Sequence, residues 1–487
     1  MENKASHKQA LFFTLINYFG ILIGIFSTLF IYPQNKEILG VIRYVEALSQ
    51  ILYPIMLLGA SQALINFYPK LNTFHKKQLF NYSIVSILIV SLGILMLLLA
   101  GSYFPVFKGM KYVYFAFPIA VCLAFVELFK KQSTIIQKIA VPTFFDNIIP
   151  KIALPVIFLL VLHQYISVKT SLIYYIFSYC LIMILLMSYL FYHFKPKFNF
   201  KFKSLFGEVS QKDYFRYSLF AFAGSLGSVF AFRIDSLMIP KLVSMEANGT
   251  FSIGVTLASA LAVPATGIFI LYAPIISNYL KNDLLEELNM KYKEVAKLLF
   301  FIGALLYSGV FLGINNLFML LPTHDNLVAS VPVILVLGFN VLFNMSTGFN
   351  GEIITYSKYY RFNIVAILVL IVLNVSLNLL FLKYFDFGIV GVAYASLISM
   401  VVFNLAKLIF IYQKFRLFPF DFGFIKMLTV FFSVLLFVYF LPESSSNLLN
   451  LFYKVGICLA LNLIIIYKLR LVYQFNFWVE KGLKKMF

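Results

Sequence analysis

Long apolar stretches alternate with short polar segments along the chain. An α-helix needs about 20 mostly apolar residues to cross the hydrocarbon core of a membrane, and fourteen stretches come close to that length or exceed it. They span residues 9–32, 41–68, 79–103, 112–129, 142–163, 170–194, 214–239, 249–278, 297–321, 327–350, 361–382, 388–412, 422–441 and 447–470. The pattern predicts an all-α polytopic membrane protein with about 14 transmembrane helices.

Lysine and arginine residues are divided unevenly between the two sides that these helices would define. With the N-terminus placed inside, 27 of the 39 fall in inner segments, six in outer loops, and six within or at the ends of the stretches. Short cytoplasmic loops of membrane proteins carry such an excess of Lys and Arg. We therefore expect a multi-pass protein with both termini in the cytoplasm.

Composition agrees with this assignment and narrows the alternatives. Of the 487 residues 62% are hydrophobic and 12% are charged, whereas a soluble domain has about 45–50% and about 25%. These values exclude a disordered chain, a secreted disulfide scaffold and an ordinary cytosolic enzyme, and strands of a transmembrane β-barrel would be far less apolar. Most of the +20 net charge is explained by topology, so no nucleic-acid partner is expected.

Three cysteines, Cys122, Cys180 and Cys458, each lie inside an apolar stretch. Isolated cysteines in such places usually behave as small hydrophobic residues. No Cys-x-x-Cys pair is present, and no cofactor or metal site is predicted from the cysteines.

Two parts of the chain resemble each other in the placement of glycine and proline. One part begins at Gly40 and the other at Gly249; a mid-helix proline follows 14 or 15 residues on, at Pro54 and Pro264, and another proline lies near the inner end, at Pro69 and Pro274. Transporters are often built from such repeats, with the substrate site between the halves. We predict two pseudo-symmetric six-helix lobes plus two C-terminal helices: 1–194 as the first lobe, 195–212 as a basic cytoplasmic linker, 213–412 as the second lobe, and 413–487 as two extra helices with an interfacial tail.

Ionisable groups at membrane depth are costly and usually face a partner or a cavity. Arg43, Glu46 and Gln50 share one face of the second stretch, because i, i+3 and i+7 positions are neighbours on a helix. They form either a polar cavity wall or an intrahelical Arg–Glu pair near the outer interface. Arg233 and Asp235 point to different faces of the seventh stretch, where snorkelling of the arginine is the alternative.

Further polar groups occur beside prolines and in the second half of the chain. Asp146 and Lys151 flank Pro150, and polar groups near a disturbed helix often line a pathway. Lys407 lies in the twelfth stretch and Glu352 follows the tenth. Asparagines nearby are typical of hydrogen bonds between membrane helices.

Three segments resemble the lipid-linked oligosaccharide flippases of bacterial polysaccharide synthesis, the Wzx-type members of the multidrug/oligosaccharidyl-lipid/polysaccharide exporter superfamily. The segments are RIDSLMIPKLVSMEANGTFSIGVTLASALAVPATGIFILYAPIIS at 233–277, NVSLNLLFLKYFDFGIVGVAYASLISMVV at 374–402 and LGASQALINFYPKL at 58–71. The resemblance implies a two-lobed fold with a central cavity that opens by alternating access. It also implies a polyprenyl-diphosphate-linked oligosaccharide as substrate, for O-antigen, lipopolysaccharide or capsule assembly at the bacterial inner membrane.

An anionic diphosphate head group needs cationic groups in a wet cavity, and H⁺ or Na⁺ is expected as the coupling ion. The candidate substrate-binding residues are Arg43, Glu46, Gln50, Lys151, Arg233, Asp235 and Lys407. The candidate ion-coupling residues are Asp146, Asp235 and Glu352. No catalytic residue, metal ligand or cofactor is predicted.

Other functions with the same helix pattern stay open. A lipid II flippase would differ in the head group, and a multidrug antiporter of the same superfamily should favour acidic residues and twelve helices. A membrane-embedded polysaccharide polymerase should carry a large basic outer loop, and an acyltransferase an intramembrane histidine. Neither feature is present in the sequence, and enzyme motifs are absent from it, so we expect a transporter and not an enzyme.

Overall fold

The computed structural model describes residues 19–101, 111–197 and 199–486, and every α-helix or 3-10 helix named here lies within them. No β-strand occurs in these ranges. The first ten α-helices are α1 Phe19–Phe30, α2 Lys36–Leu57, α3 Ala60–Phe67, α4 Thr73–Gly101, α5 Lys111–Ile135, α6 Ala140–Leu162, α7 Val168–Phe194, α8 Leu205–Glu208, α9 Gln211–Leu242 and α10 Met245–Ala260. The other ten are α11 Val263–Lys281, α12 Leu285–Met319, α13 His324–Leu327, α14 Val331–Ser346, α15 Asn350–Tyr356, α16 Phe362–Lys383, α17 Gly388–Phe415, α18 Phe422–Tyr439, α19 Asn447–Lys468 and α20 Tyr473–Met486.

Thirteen helical segments in the described residues are long and apolar enough to cross a membrane. They correspond to the second through fourteenth predicted stretches, so the prediction of an all-α polytopic membrane protein is confirmed. The first predicted stretch, 9–32, lies partly outside the described residues. Its described part is the shorter apolar helix α1.

Two predicted stretches are each divided by a local break. Between α2 and α3 the backbone turns left-handed at Leu58 (φ 42°) and Gly59 (φ 77°). A side chain at Gly59 would overlap the Ser218 carbonyl of α9, so glycine permits both the turn and the close approach. The second break separates α10 from α11 just before Pro264, whose ring lacks the N–H that would continue a helix.

The chain divides into two compact units. One comprises the residues up to Ser27 together with Asn35–Gly249, and the other comprises Thr28–Gln34 together with Thr250–Phe487. In the first unit α2 packs against α4, α5 and α9, and α7 packs against α5 and α6. In the second, α12 packs against α11, α14 and α19, while α17 packs against α14 and α16. The predicted boundaries at 194, 212 and 412 follow the sequence repeat and stay a prediction.

The two glycines that begin the predicted repeat meet each other inside the first unit. A β-carbon at Gly40 would overlap the carbonyl oxygen of Met245, and one at Gly249 would overlap that of Lys36. Each glycine therefore faces the carbonyl four residues before the other glycine. The crossing is closed by a hydrogen bond from Asn248 Nδ2 to the Gly40 carbonyl at 2.9 Å. Backbone contact at this site accounts for glycine at both positions.

Two of the three cysteines lie side by side. Cys122 of α5 and Cys180 of α7 are 58 positions apart in the chain, yet their Sγ atoms are 3.6 Å apart. The expectation of isolated cysteines is therefore wrong for this pair, because the packing of α5 against α7 brings together positions that spacing along the chain cannot connect. Cys122 and Cys458 are buried, as expected.

A short bifunctional thiol reagent tests the packing of α5 against α7. In a Cys458→Ser variant, dibromobimane should link Cys122 to Cys180 and become fluorescent, because the reagent fluoresces fully only when both of its arms react. A Cys458→Ser/Cys180→Ser variant is the control and should stay dark. Equal fluorescence in the two variants would contradict this packing.

Candidate functional site

The polar face of α2 is held together by Glu46. Its Oε2 atom accepts from Arg43 Nη1 at 2.7 Å, and its Oε1 atom accepts from Gln50 Nε2 at 3.3 Å. The predicted alignment of these three residues is therefore present, with the arginine and the carboxylate paired within one helix. Arg43 and Glu46 side chains are 23% and 14% exposed, so the pair is poorly hydrated.

Helices α7 and α9 add further polar groups around Glu46. Tyr175 and Tyr179 of α7 are buried, and their hydroxyl oxygens are 3.3 Å apart. The Glu46 charge acts on both phenols. The charge of Arg233, on α9, acts on Glu46 as well. This carboxylate thus has two guanidinium groups and two phenols in its surroundings.

A second cluster of charged side chains lies where α5 and α6 approach each other. Lys130 Nζ donates to Asp146 Oδ2 at 2.6 Å, and Lys131 pairs with Glu127 at 3.2 Å within α5. Asp146, a predicted ion-coupling residue, is therefore occupied by Lys130 in this structure.

Lys151 lies five residues beyond Asp146 on α6 and forms no salt bridge with any described residue. The Asp146 charge reaches it. Its ammonium lies against α1, where a β-carbon added to Gly20 would be 2.8 Å from Nζ. A side chain at position 20 would therefore require the end of the lysine to shift.

Tyr53 lies within range of charges from both clusters and is not among the predicted site residues. It lies three residues after Gln50 and seven after Glu46, so it extends the polar face of α2 by one turn. Charges from both groups act on its phenol, namely those of Glu127, Lys130, Asp146 and Arg233. The i+3 and i+7 spacing was a signal in the sequence that could have identified it.

The first unit therefore holds an excess of positive charge among its membrane helices. Five cations (Arg43, Lys130, Lys131, Lys151 and Arg233) stand against four carboxylates (Glu46, Glu127, Asp146 and Asp235). Three salt bridges join Arg43, Lys130 and Lys131 to Glu46, Asp146 and Glu127, and within the described ranges Lys151 and Arg233 form none. Asp235, two residues beyond Arg233, is half-buried and engaged in an interaction of its own.

The remaining predicted residues, Glu352 and Lys407, lie in the second unit beside a network of amides. Asn404 of α17 accepts from Asn350 at 2.8 Å and donates to Asn344 at 3.1 Å, with the Thr347 hydroxyl inside the same network. Its bonds join α14, α15 and α17, as expected for asparagines that connect membrane helices. Lys407 lies one turn along α17 from Asn404 and is 8% exposed.

The second unit also contains an apolar cavity of about 330 Å³ between α12, α14 and α18. Aromatic side chains dominate its lining, among them Phe300, Tyr307, Phe339 and Phe431. Its surface offers almost no polar atom, so it suits a hydrocarbon chain and not an ionic group. Among the described residues no cluster of His, Cys, Asp and Glu could hold a metal ion.

Sequence comparison finds no matching family profile and no matching curated protein. Solved structures do match. A structure described as the lipid II flippase MurJ in an inward closed conformation has a TM-score of 0.71 at 16% identity, over 94% of this chain and 99% of that one. The chain has the fold of this structure.

Two further structures carry the same fold. An inward-facing multidrug resistance MATE family transporter of the MOP superfamily has a TM-score of 0.60 at 16% identity, over 83% of this chain and 94% of that one. A MOP superfamily transporter from Pyrococcus furiosus has a TM-score of 0.55 at 13% identity, over 83% and 95%. The fold class predicted from the apolar stretches is thereby confirmed: the chain has a MurJ- and MATE-like polytopic helical fold.

Proposed function

We propose that this chain is a flippase of the MOP superfamily, of the Wzx type, which moves a polyprenyl-diphosphate-linked oligosaccharide from the inner to the outer leaflet of the cytoplasmic membrane by alternating access. The product would serve surface polysaccharide assembly. One observation carries the proposal: Lys151 and Arg233 lie on membrane helices without a salt bridge in the described chain. A cation in such surroundings is costly without a counter-charge, and an anionic substrate would supply one.

In this proposal the diphosphate binds the two cations that lack a salt bridge. Arg233 offers a planar guanidinium that suits phosphate oxygens, and Lys151 offers a point charge. Glu46 keeps Arg43 in place, while Gln50 and Tyr53 are placed to bond with sugar hydroxyls. Lys130 competes with Lys151 for Asp146, which leaves the Lys151 ammonium available to the substrate.

The polyprenyl chain has a chemically suitable site in the second unit. The apolar cavity lined by Phe300, Phe339 and Phe431 is open to a hydrocarbon and offers nothing to a charged group. A flippase has to accommodate both parts of such a substrate. The two kinds of surface support the amphipathic substrate class over a uniformly polar one.

The charge balance favours this substrate over that of a multidrug antiporter. A site for organic cations should have an excess of carboxylates, whereas the first unit has more cations than carboxylates. A lipid II flippase is the second candidate, because the TM-score against MurJ is 0.71. Lipid II carries a diphosphate too, so the two candidates differ in the sugar that they accept.

A complementation experiment in cells tests the proposal. Deleting the gene should abolish the surface glycan and leave its lipid-linked precursor in the inner leaflet. Lys151→Ala and Arg233→Ala, at unchanged protein level, should lower glycan output about 10- to 100-fold, since each removes a charge-assisted contact of about 1.5–3 kcal/mol. Lys169→Ala, at an exposed position, is the control. A normal glycan and precursor after deletion would refute the proposed function.

A further inference from the structure

The segment that follows α7 is fastened to α4 along its backbone. We call residues 195–204 the basic strap. Gln78 Nε2 of α4 donates to the Lys201 carbonyl at 2.9 Å, and Asn81 Nδ2 of α4 donates to the Lys197 carbonyl at 2.9 Å. The side chains of Gln78 and Asn81 are both buried. Buried amides on α4 therefore hold the strap in place by its main chain, which leaves its lysine side chains free to contact something else.

Aromatic packing fixes the end of the strap against the same helix. The ring of Phe202 lies 5.2 Å from that of Tyr82 on α4, and Phe206, just beyond the strap, lies 5.1 Å from the same ring. Ser204 Oγ donates to Gln78 Oε1 at 3.1 Å. The strap is thus a fixed part of the first unit, and its exposed groups have defined positions.

The exposed side chains of the strap are mostly cationic. They include four lysines: Lys195, Lys197, Lys201 and Lys203. Within the described residues none of these four takes part in a salt bridge. Residues 195–212 contain five lysines and one acidic residue, Glu208. The strap therefore offers a concentrated positive charge that the protein itself does not neutralise.

Two large aromatic side chains are exposed beside these lysines. Phe200 of the strap is 62% exposed, and Tyr192 in the last turn of α7 is 77% exposed. The strap begins where α7 ends, and α9 begins at Gln211; both helices are long and apolar enough to cross a membrane. The strap therefore lies at a membrane surface, where aromatic rings are favoured at the level of the lipid headgroups.

We propose that the basic strap is a binding site for the headgroups of anionic phospholipids. The lysine ammonium groups would pair with phosphate oxygens, and Phe200 would enter the interfacial layer between them. Basic clusters directly beside a membrane-spanning helix attract anionic lipids in this way. Because Gln78 and Asn81 already fix the strap, little conformational entropy is lost when lipid binds. The site does not depend on the proposed function.

The exposed aromatic rings favour a lipid surface over a water-soluble acidic partner. Such a partner would account for the lysines alone. It would not account for Phe200 and Tyr192 at the end of a membrane-spanning helix, since the headgroup layer accepts an aromatic ring and a cation at the same depth.

A tryptophan on the strap tests the contact with lipid directly. Trp478 is the single tryptophan of the chain, so the full chain with Trp478→Phe/Phe200→Trp reports from the strap alone. It would be reconstituted into liposomes of phosphatidylcholine and phosphatidylglycerol, with bromine on the acyl chains of one of the two lipids near its headgroup. We expect the brominated phosphatidylglycerol to quench the fluorescence at a much lower mole fraction than the brominated phosphatidylcholine.

Removing the strap lysines should abolish that preference. Each lysine changed to glutamine should raise the mole fraction of phosphatidylglycerol needed for half-quenching about fivefold, which corresponds to about 1 kcal/mol per basic residue near the surface. The test variant in the reporter background is Lys197→Gln/Lys201→Gln/Lys203→Gln. The matched control has the same net charge but is changed at exposed lysines outside the strap: Lys281→Gln/Lys358→Gln/Lys414→Gln.

Arginine at the three strap positions keeps the charge and should keep the preference, which separates loss of charge from misfolding. Equal quenching by the two lipids in the reporter, or a preference that survives the three glutamine changes, would overturn the lipid site. Quenching by neither lipid would overturn it as well and would place the strap in water, open to an acidic soluble partner.

Discussion

Replacing Gly40 by alanine should strongly destabilise the protein, although the change adds only one methyl group to α2. The new β-carbon would overlap the Met245 carbonyl, and backbone atoms cannot move aside as the end of a flexible side chain can. Overpacking of this kind costs about 1–3 kcal/mol, occasionally more. Here it would also strain the hydrogen bond from Asn248 to the Gly40 carbonyl. We expect a clear fall in Tm in thermal unfolding of the detergent-solubilised protein.

Gly249→Ala should behave like Gly40→Ala, because its β-carbon would meet the Lys36 carbonyl in the same way. Gly93→Ala is the matched control: it lies in α4 with no atom within 4 Å of the added carbon. Alanine has a higher helix propensity than glycine by about 1 kcal/mol, so this control should be neutral or stabilising. Equal Tm values for Gly40→Ala and Gly93→Ala would show that the close crossing does not exist.

Replacing Glu46 by alanine should have a comparably large effect, through charge instead of volume. The carboxylate accepts a hydrogen bond from Arg43, and it interacts electrostatically with Arg233. Its removal would leave both guanidinium groups among membrane helices without this counter-charge. Removing one partner of a buried ion pair costs about 3–5 kcal/mol. We expect a lower Tm and loss of glycan output in cells, with Glu46→Asp retaining most of both.

A double-mutant cycle separates the charge effect from lost packing. The change Arg43→Met/Glu46→Met removes both charges of the pair and keeps apolar volume, and should cost less than Glu46→Met alone. Neighbouring pairs of this kind show coupling of about 0.5–3 kcal/mol. Additive effects of the two single changes would mean that the 2.7 Å pair contributes nothing to stability.

The apolar pattern predicted most of the fold because a bilayer imposes a simple length rule on each helix. The breaks at Leu58–Gly59 and before Pro264 were not predicted as interruptions of a helix. Proline and glycine are common in membrane helices, where neighbouring groups can satisfy the freed backbone. Whether such a residue bends or ends a helix depends on contacts with other helices, such as that of Gly59 with α9.

The candidate site was predictable where its members share one helix. The i, i+3 and i+7 spacing correctly placed Arg43, Glu46 and Gln50 together, and the same rule applied one turn further would have added Tyr53. Contacts between residues on different helices could not be predicted in this way, because spacing along the chain carries no information about which helix faces meet. The Lys130–Asp146 salt bridge and the Cys122–Cys180 contact are of that kind.

Glycine adds a second class of features that sequence periodicity does not reveal. At Gly20 a β-carbon would lie 2.8 Å from the Lys151 ammonium, so the end of the lysine occupies space that a side chain on α1 would take. Gly40 and Gly249 were predicted to be equivalent positions of a repeat, but their mutual contact required the structure.

The most direct test of the central claim measures the leaflet in which a lipid-linked sugar resides. Purified protein would be reconstituted into liposomes that contain a fluorescent polyprenyl-diphosphate oligosaccharide, and dithionite would quench only the outward-facing label. If the protein is a flippase, the labelled lipid should exchange rapidly between the leaflets in liposomes that contain the wild-type protein. In liposomes that contain the Arg233→Ala/Lys151→Ala variant the exchange should be slow. Quenching that stops at the outer-leaflet fraction with wild type, as in protein-free liposomes, would contradict it.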